Sequence, residues 1–421
     1  MRRNLLQILA LLTGTFFLFL ANGLHGLLLP VRGTAEGYST TMLGLLGTSW
    51  ASGFVLGCFL APAVVKRVGH VRAFSSFVSL IAIVALITGM FVDQTAWVIL
   101  RAATGFATAG VQMIIESWLN ERADNESRGT VFSLYFGINL SGVVAGQLLI
   151  STGDVMTPFL FMASGVLYCI AMLPTTLSKA ASPKPLNTVK LDLRALYRNS
   201  PVAVVGILLI GIANGAFGTL AAVFGGNIGL SQGHIAIMVS AAIFCGALLQ
   251  IPAGKLSDMT DRRYVLAFIA MISAITALSL IAFQPTQFVY LVVLVALYGG
   301  MANTLYPIVV AHANDFANPE DYVKVSGGLL LVFGIGTIIG PTLGGPVMST
   351  FGPYALFLIT MTAHLFVAAY AILRSRARAA IPVDERGEYG TILSGNSPLS
   401  TPQGYEMGHN PEGVNEKPAA A

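Results

Sequence analysis

The sequence predicts an all-α membrane protein with twelve membrane-spanning helices. Of its 421 residues, 55% are hydrophobic and only 10% are charged, whereas a soluble domain carries about 25% charged residues. The mean hydropathy is +0.75, and the apolar residues fall into blocks of about 20, the length that a helix needs to cross a bilayer. Inside lipid the backbone must satisfy its own hydrogen bonds, so these blocks are expected to be helices.

Twelve apolar blocks mark the predicted spans, which we number in chain order. The first block follows Arg2 and Arg3, as the core of a secretory signal peptide does, but it is longer than the roughly 7–15 residues of such a core. We therefore interpret it as a retained first span. The spans cover residues 5–30, 41–65, 73–92, 96–119, 130–151, 157–177, 201–225, 234–256, 264–283, 287–312, 325–350 and 354–374.

Two polar segments divide the chain. One lies in the middle, and the other is a tail that has few large apolar residues and is predicted to be disordered. The expected organisation is an N-terminal six-helix bundle over 1–177, a central loop over 178–200, a C-terminal six-helix bundle over 201–374 and a tail over 375–421.

The distribution of basic residues predicts the orientation. If the N-terminus is cytoplasmic, 21 of the 23 Lys and Arg residues fall in segments on that side. Only Arg32 falls in an outer loop, and Arg101 lies within a span. Short cytoplasmic loops of membrane proteins carry an excess of Lys and Arg. Both termini, the central loop and the tail are therefore expected in the cytoplasm.

The order of six spans, a basic loop and six spans predicts two related halves. GVVAGQ (142–147) in span 5 and GTIIGP (336–341) in span 11 share one frame of glycines. The loop after span 8, GKLSDMTDRR (254–263), occupies the place of KRVGHVR (66–72) after span 2. Both loops are strongly charged in a chain with few charges.

These loops resemble a signature of the major facilitator superfamily, Gly-x-Leu-Ala-Asp-Arg-x-Gly-Arg-Arg. In the second loop Asp261 replaces a glycine, and in the first loop Lys66 stands where the family has its aspartate. The matching residues are Gly254, Leu256, Asp258, Arg262 and Arg263 in the second loop and Arg67, Gly69 and Arg72 in the first.

Two further motifs support this resemblance, which covers residues 1–374. Arg101 precedes Gly105 by four residues, as in the family's fourth helix. GTIIGPTLGG (336–345) matches the Gly-x-x-x-Gly-Pro-x-x-Gly-Gly motif that marks the fifth helix of drug/proton antiporters, but here it lies in span 11. Span 5 has Gln147 at the position of the motif's proline.

The resemblance implies a bacterial-type secondary transporter that moves a small solute across the inner (plasma) membrane by alternating access, coupled to protons. Spans 1, 4, 7 and 10 would line its cavity. No phosphate-binding Gly-x-x-x-x-Gly-Lys-Ser/Thr loop and no catalytic cluster occurs, so neither ATP drive nor an enzyme is expected. A sensor or assembly factor that does not transport, built on the same scaffold, remains the alternative.

The expected partners are a small-molecule substrate, protons and the lipid bilayer. We expect no cofactor, no metal, no nucleic acid and a monomeric protein. Three cysteines, Cys58, Cys169 and Cys245, lie inside apolar blocks without metal-ligand spacing and are interpreted as packing residues.

The charged loops are candidate cytoplasmic gates. The resemblance places Asp258 near the start of span 5, at Arg128 and Gly129, where a helix N-terminus favours an anion by roughly 0.3–1 kcal/mol. Such a latch would favour the outward-open state. The first loop is expected to pair Lys66 with Glu320 or Asp321, or the charges serve orientation alone. The gate candidates are Asp258, Arg262, Arg263, Arg128, Lys66, Arg67 and Arg72.

Ionisable residues inside spans are costly and are therefore candidates for function. In span 4, Arg101 and Glu116 are 15 residues apart, about 22 Å along a helix. Arg101 would bind an anionic substrate or respond to a proton carrier, or else reach the outer interface. Glu116 would carry a proton or pair with Arg122 or another basic residue.

His25 in span 1 lies at about the depth of Arg101 and either senses protons or is a hydrogen-bonded wall residue. His312 is expected at the interface and His364 in a structural role. Uncharged polar side chains at depth either face the cavity or join helices. They are Asn22, Gln112, Asn139, Gln147, Asn214, Tyr298, Asn303 and Tyr306.

Overall fold

The computed structural model describes residues 2–122, 128–177, 192–318, 321–377 and 381, without the side chains of 2–8, 120–122, 128–130, 132 and 323. These residues form thirteen α-helices and no β-strand. The helices are α1 (Arg2–Ala35), α2 (Thr40–Val68), α3 (His70–Met90), α4 (Gln94–Arg122), α5 (Arg128–Leu148), α6 (Phe159–Leu177), α7 (Leu193–Asn199), α8 (Pro201–Asn227), α9 (Gln232–Met259), α10 (Arg262–Phe283), α11 (Phe288–Asp315), α12 (Tyr322–Phe351) and α13 (Ala355–Ala377).

Twelve of the described helices are long and apolar enough to cross a membrane. Spans 1 to 6 correspond to α1–α6 and spans 7 to 12 to α8–α13, which confirms the predicted all-α membrane fold. The predicted central loop contains the short helix α7, because Asp192 accepts a hydrogen bond from the backbone N–H of Ala195 and caps its start. Residues 178–191 and most of the predicted tail lie outside the described residues.

Helix α1 is longer than predicted, and this changes the position of Arg32. Span 1 was expected to end at residue 30, with Arg32 in an outer loop. In the structure α1 continues to Ala35, because the Arg32 guanidinium pairs with Glu36 at 2.5 Å and donates to the carbonyl of Val155 at 2.6 Å. These bonds stabilise the charge of Arg32 within the helix, although the apolar pattern alone predicts that a charged residue here lies outside it.

The two halves repeat the same helix packing. Within the first half, α1 packs on α5 and α6, α2 packs on α4, and α3 packs on α4 and α6. In the second half, α8 packs on α12 and α13, α9 packs on α11, and α10 packs on α11 and α13. The two six-helix bundles are therefore related by pseudo-symmetry, as the order of spans predicted.

The shared glycine frame of span 5 and span 11 has the same packing role in both halves. A Cβ atom added at Gly146 would overlap the backbone carbonyl of Leu20 in α1, and one added at Gly340 would overlap that of Ile212 in α8. Glycine lets the two backbones approach closely, as is common between helices in membranes.

The halves contact each other through α2 with α12, α5 with α9, and α8 with both α1 and α2. We call the end of the bundle that carries Val68 and Met259 the basic end, and the end that carries Ala35 and Asn227 the opposite end. The buried core forms two hydrophobic clusters, one nearer each end, and each cluster includes residues of both halves. All three cysteines are free.

Candidate functional site

A cavity of about 250 Å³ lies between the two halves. Its wall includes α1, α4, α8 and α11, the helices that correspond to spans 1, 4, 7 and 10, and also α2, α5, α9 and α12. The volume is close to the lower end of ligand pockets, about 300–1,000 Å³. Polar residues singled out in the sequence meet here, namely Asn22, Arg101, Gln147, Asn214, Asn303 and Tyr306.

Arg101 is the charged residue of this cavity wall. Its guanidinium carbon lies 5.9 Å from the centre of the Trp50 ring, which also lines the cavity. Such a cation–π contact contributes about 0.5–2 kcal/mol. The other described residues of the wall include no Asp, Glu, Lys or His, so the cavity carries one uncompensated positive charge.

A hydrogen bond to a residue of the cavity wall joins the two halves. The Ser240 hydroxyl in α9 donates to Oε1 of Gln147 in α5 at 2.8 Å, and both side chains are buried. This contact explains why an amide at the position of the antiporter proline is compatible with close packing of α5 against α9.

Small side chains close the opposite end of the bundle above the cavity. The Thr40 hydroxyl donates to the Gly345 carbonyl at 2.9 Å, and the hydroxyls of Thr48 and Thr342 lie 2.8 Å apart. Helix α8 packs against α1 there, whereas α4 and α11 are not among the extensively packed pairs of the described residues. The halves are therefore closer at the opposite end than along α4 and α11.

His25 lies behind the cavity wall rather than in it. Its ring is 1% exposed and meets Phe161 and Tyr168 edge-on, with centroids 6.2 and 6.3 Å away. Neither ring nitrogen bonds a described residue, and the charge of Arg101 acts on both His25 and Tyr168. Gln112 borders a much smaller gap between Asn22 and Tyr168.

Glu116 lies inside the first bundle and does not line the cavity. Its side chain is 1% exposed, and the hydroxyl of Tyr135 donates to Oε1 at 3.5 Å. Asn139 also bonds the Tyr135 hydroxyl. Glu116, Tyr135 and Asn139 thus form one buried polar group between α4 and α5, apart from Arg101.

The sequence profile of the Major Facilitator Superfamily matches residues 11–233 and again residues 203–403. The chain belongs to this superfamily. It is 26% identical over 385 residues to the "Uncharacterized MFS-type transporter YcaD" of Shigella flexneri and to that of Escherichia coli O139:H28, which covers 89% of this chain and 97% of each relative. It is therefore a multi-pass membrane protein of a solute-transporter family.

Solved structures share the superfamily fold. A mutant of the nucleoside transporter NupG aligns with a TM-score of 0.75 at 18% identity, over 87% of this chain and 99% of that one. A bacterial homologue of the human lysosomal transporter Spinster, in an inward-facing and occupied conformation, aligns with a TM-score of 0.70 at 16% identity, over 90% and 97%. At these identities the likeness shows the fold alone.

The arginines of the superfamily loop signature are held within the second half. Arg262 is 1% exposed, and its Nε donates to Asp315 at 2.8 Å while Nη1 lies 3.2 Å from Asp258. Arg263 is clamped by Asp261 at 2.7 Å and donates to the carbonyl of Arg374 at 3.2 Å. These bonds tie α9, α10, α11 and α13 together at the basic end.

The first copy of the loop signature is exposed. Lys66, Arg67 and Arg72 all face outward. Asp321, one expected partner of Lys66, pairs with Lys324 at 2.7 Å. The other expected partner, Glu320, and the side chain of Arg128 lie outside the described residues, so the predicted latch between the halves stays a prediction.

Two further histidines are buried. His312 is 5% exposed near the end of α11, where its ring packs 5.1 Å from that of Phe316, and its expected place at the membrane interface stays a prediction. His364 is fully buried with its ring 5.8 Å from Tyr298, as a packing residue would be.

Sequence reasoning missed the aromatic part of the site. Trp50, Phe217 and Phe333 line the cavity but stand in apolar blocks, where an aromatic residue has no contrast with its neighbours. It also missed Asp315, the partner of Arg262. Asp315 could have been found from the sequence as an acidic residue near the end of span 10, on the same side of the membrane as the loop signature.

Proposed function

We propose that the protein is a secondary active transporter that moves a small solute across the bacterial inner membrane by alternating access. The observation that carries this proposal is the cavity between the halves, lined by polar residues of both halves and closed at the opposite end by direct contacts. Membership of a transporter superfamily supports it. We place the basic end in the cytoplasm, because Lys and Arg concentrate there.

In this orientation the described contacts correspond to an inward-facing state. The other state requires α1 and α8 to part at the opposite end and the basic end to close. In that state Asp258, near the end of α9, would meet the start of α5. Alternation requires two states that differ by only a few kcal/mol, and hydrogen bonds like those at the opposite end, about 1 kcal/mol each, are of a size that can tune this balance.

Two buried titratable side chains make proton coupling part of the proposal. His25 lies within electrostatic range of Arg101, so a proton on His25 adds a second positive charge beside the cavity. Glu116 is buried beside Tyr135, where a proton would neutralise its charge. A solute that alters the field at Arg101 would thereby alter the proton occupancy of His25, which is the physical basis we propose for coupling.

The proposal is tested by a growth and uptake screen over a panel of drugs and nutrients. Cells carry wild type, Arg101→Ala, Glu116→Gln or the control Arg194→Ala at matched membrane levels. Arg194 is an exposed arginine of α7. We expect a compound whose accumulation distinguishes wild type and the control from empty vector, and whose effect both site variants lose.

The same screen with a protonophore tests coupling. Transport that collapses with the proton gradient is the expected result. Transport that continues unchanged would contradict proton coupling but leave alternating access standing. A complete panel on which wild type equals empty vector would contradict the transporter proposal.

A further inference from the structure

We propose that the cavity binds a small organic oxyanion, a carboxylate or a phosphate monoester, whose charged group pairs with Arg101. This inference rests on the proposed function, because it names the chemical class of the transported solute. Three observations on the described residues carry it: none of their carboxylates pairs with Arg101, the rest of the cavity lining that they form is neutral, and Arg101 contacts Trp50.

The three arginines that are almost fully buried among the described residues all have a carboxylate partner. Arg32 pairs with Glu36, Arg262 with Asp258 and Asp315, and Arg263 with Asp261. Their residues are between 1% and 8% exposed. Arg101 differs, since none of the described acidic residues lies within ion-pair distance of it.

An unpaired cation at membrane depth is costly, because the surroundings replace little of its hydration. The wall around Arg101 offers amides, a phenol and threonine hydroxyls but no acidic residue among its described members. A bound anion therefore supplies the opposite charge that the protein supplies for Arg32, Arg262 and Arg263. A cationic solute would meet only repulsion from the charged group of this wall.

Arg101 is suited to grip an oxyanion. Its guanidinium carbon lies over the Trp50 ring, and the N–H donors of a guanidinium match the two oxygens of a carboxylate or phosphate. Gln147 adds donors, since its Oε1 accepts from Ser240 and its amide nitrogen bonds no described residue.

The rest of the cavity determines the body of the solute. Asn22 and Asn214 come from α1 and α8, and Asn303 comes from α11, so both halves present amides to one molecule. Phe217 and Phe333 provide apolar surface. We infer a solute with one anionic group, a few hydrogen-bonding groups and a small apolar part.

The sign of the cavity charge is tested without knowing the solute. A cysteine is placed by Gly218→Cys in a background where Cys58, Cys169 and Cys245 are replaced. Gly218 lines the cavity, and a Cβ there meets no atom within 4 Å. The reaction rates with an anionic (sulfonatoethyl) and a cationic (trimethylammonium-ethyl) methanethiosulfonate are then compared.

We expect the anionic reagent to be favoured, and Arg101→Gln to lower the ratio of the two rates by roughly tenfold, as one unit charge in a partly dry cavity would. Arg101→Lys should keep most of the ratio, because it keeps the charge. A ratio that Arg101→Gln leaves unchanged would overturn the proposal.

The class of oxyanion is tested by thermal stabilisation of the purified full chain. Three series at millimolar concentration are compared: small carboxylates, their neutral amides, and phosphate monoesters. We expect one charged series to raise the Tm of wild type and of Arg194→Ala but not of Arg101→Gln. Stabilisation by neither charged series, or equally by the amides, would overturn the inference.

The two proposals fail in different ways. Binding of an oxyanion through Arg101 without any transport would contradict the proposed function and leave this inference standing. Transport of a neutral solute that is indifferent to Arg101→Gln would contradict this inference and leave the proposed function standing.

Discussion

At the scale of single residues, Asp261 holds together the start of α10. Its carboxylate accepts from the backbone N–H and the Nε of Arg263, each at 3.0 Å, and from Nη2 at 2.7 Å. Burial raises the pKa of Asp261, but the hydrogen bonds from Arg263 outweigh it and hold the pKa below its ordinary value. Folding therefore favours the charged form of this group.

A carboxylate whose pKa falls on folding stabilises the protein above its ordinary pKa, near 4, and that contribution is lost as the pH falls through the folded value. We predict that Asp261→Asn lowers stability at neutral pH by about 3 kcal/mol, because Arg263 loses its buried partner. The variant should also lose less stability than wild type on acidification.

The measurement is the Tm of purified protein between about pH 3 and pH 7. Asp93→Asn is the matched control, because Asp93 also caps a helix but is exposed. Equal losses for both variants at neutral pH, or parallel acid profiles for wild type and Asp261→Asn, would show that the clamp does not contribute as described.

Also at this scale, the polar residues of the cavity wall could be predicted from the sequence, whereas its aromatic residues could not. Arg101, Asn214 and Asn303 are conspicuous in the sequence, because a polar group inside an apolar block is costly unless it has a partner or a function. Trp50 does not stand out, since an aromatic residue in a span faces lipid as readily as a cavity. Glu116 is the opposite case. It is conspicuous in the sequence because it is charged, but in the structure it is buried outside the cavity.

At the scale of helices, the close approach of α5 to α1 depends on glycine. We predict that Gly146→Ala destabilises the first half by roughly 1–3 kcal/mol, because the added Cβ overlaps the Leu20 carbonyl and the helices must separate. Gly137→Ala is the control in the same helix, because its Cβ meets no atom within 4 Å.

The control substitution should leave stability unchanged or raise it by about 0.5–1 kcal/mol, since alanine favours helix over glycine. Thermal unfolding of both variants in detergent provides the comparison. Similar Tm values for Gly146→Ala and Gly137→Ala would contradict the close packing of α5 on α1.

Helix positions were predicted well because blocks of apolar residues determine them, but helix ends were not. The end of α1 involves Arg32, which pairs locally with Glu36 but also donates to the distant carbonyl of Val155, a tertiary contact that no local pattern contains. Helix α7 was missed for a related reason: the seven residues Leu193–Asn199 are too few to show an apolar period in a polar segment.

At the scale of the whole molecule, closure of the opposite end depends on contacts between small polar residues. The hydroxyls of Thr48 in α2 and Thr342 in α12 are 2.8 Å apart. We predict that Thr48→Cys with Thr342→Cys, in a background free of the native cysteines, forms a disulfide on mild oxidation. The cross-link should stop uptake, and a reductant should restore it.

Each single cysteine variant is the control, since neither should respond to the oxidant. Full oxidation of the pair with uptake unchanged would contradict the need for the opposite end to open. The sequence does not predict which end of the bundle is closed, because the same sequence must be compatible with both states. Only the contacts in the structure distinguish the two states.

In the proposed mechanism, one cavity opens to each side of the membrane in turn. Labelling of Gly218→Cys by an impermeant maleimide, in right-side-out and in inverted vesicles, tests it most directly. Thr95→Cys at the opposite end and Lys255→Cys near the basic end, both exposed, report the sidedness of each preparation. We predict that Gly218→Cys reacts in both preparations while each control reacts in only one. Reaction of Gly218→Cys from a single side, with and without a proton gradient, would contradict alternating access.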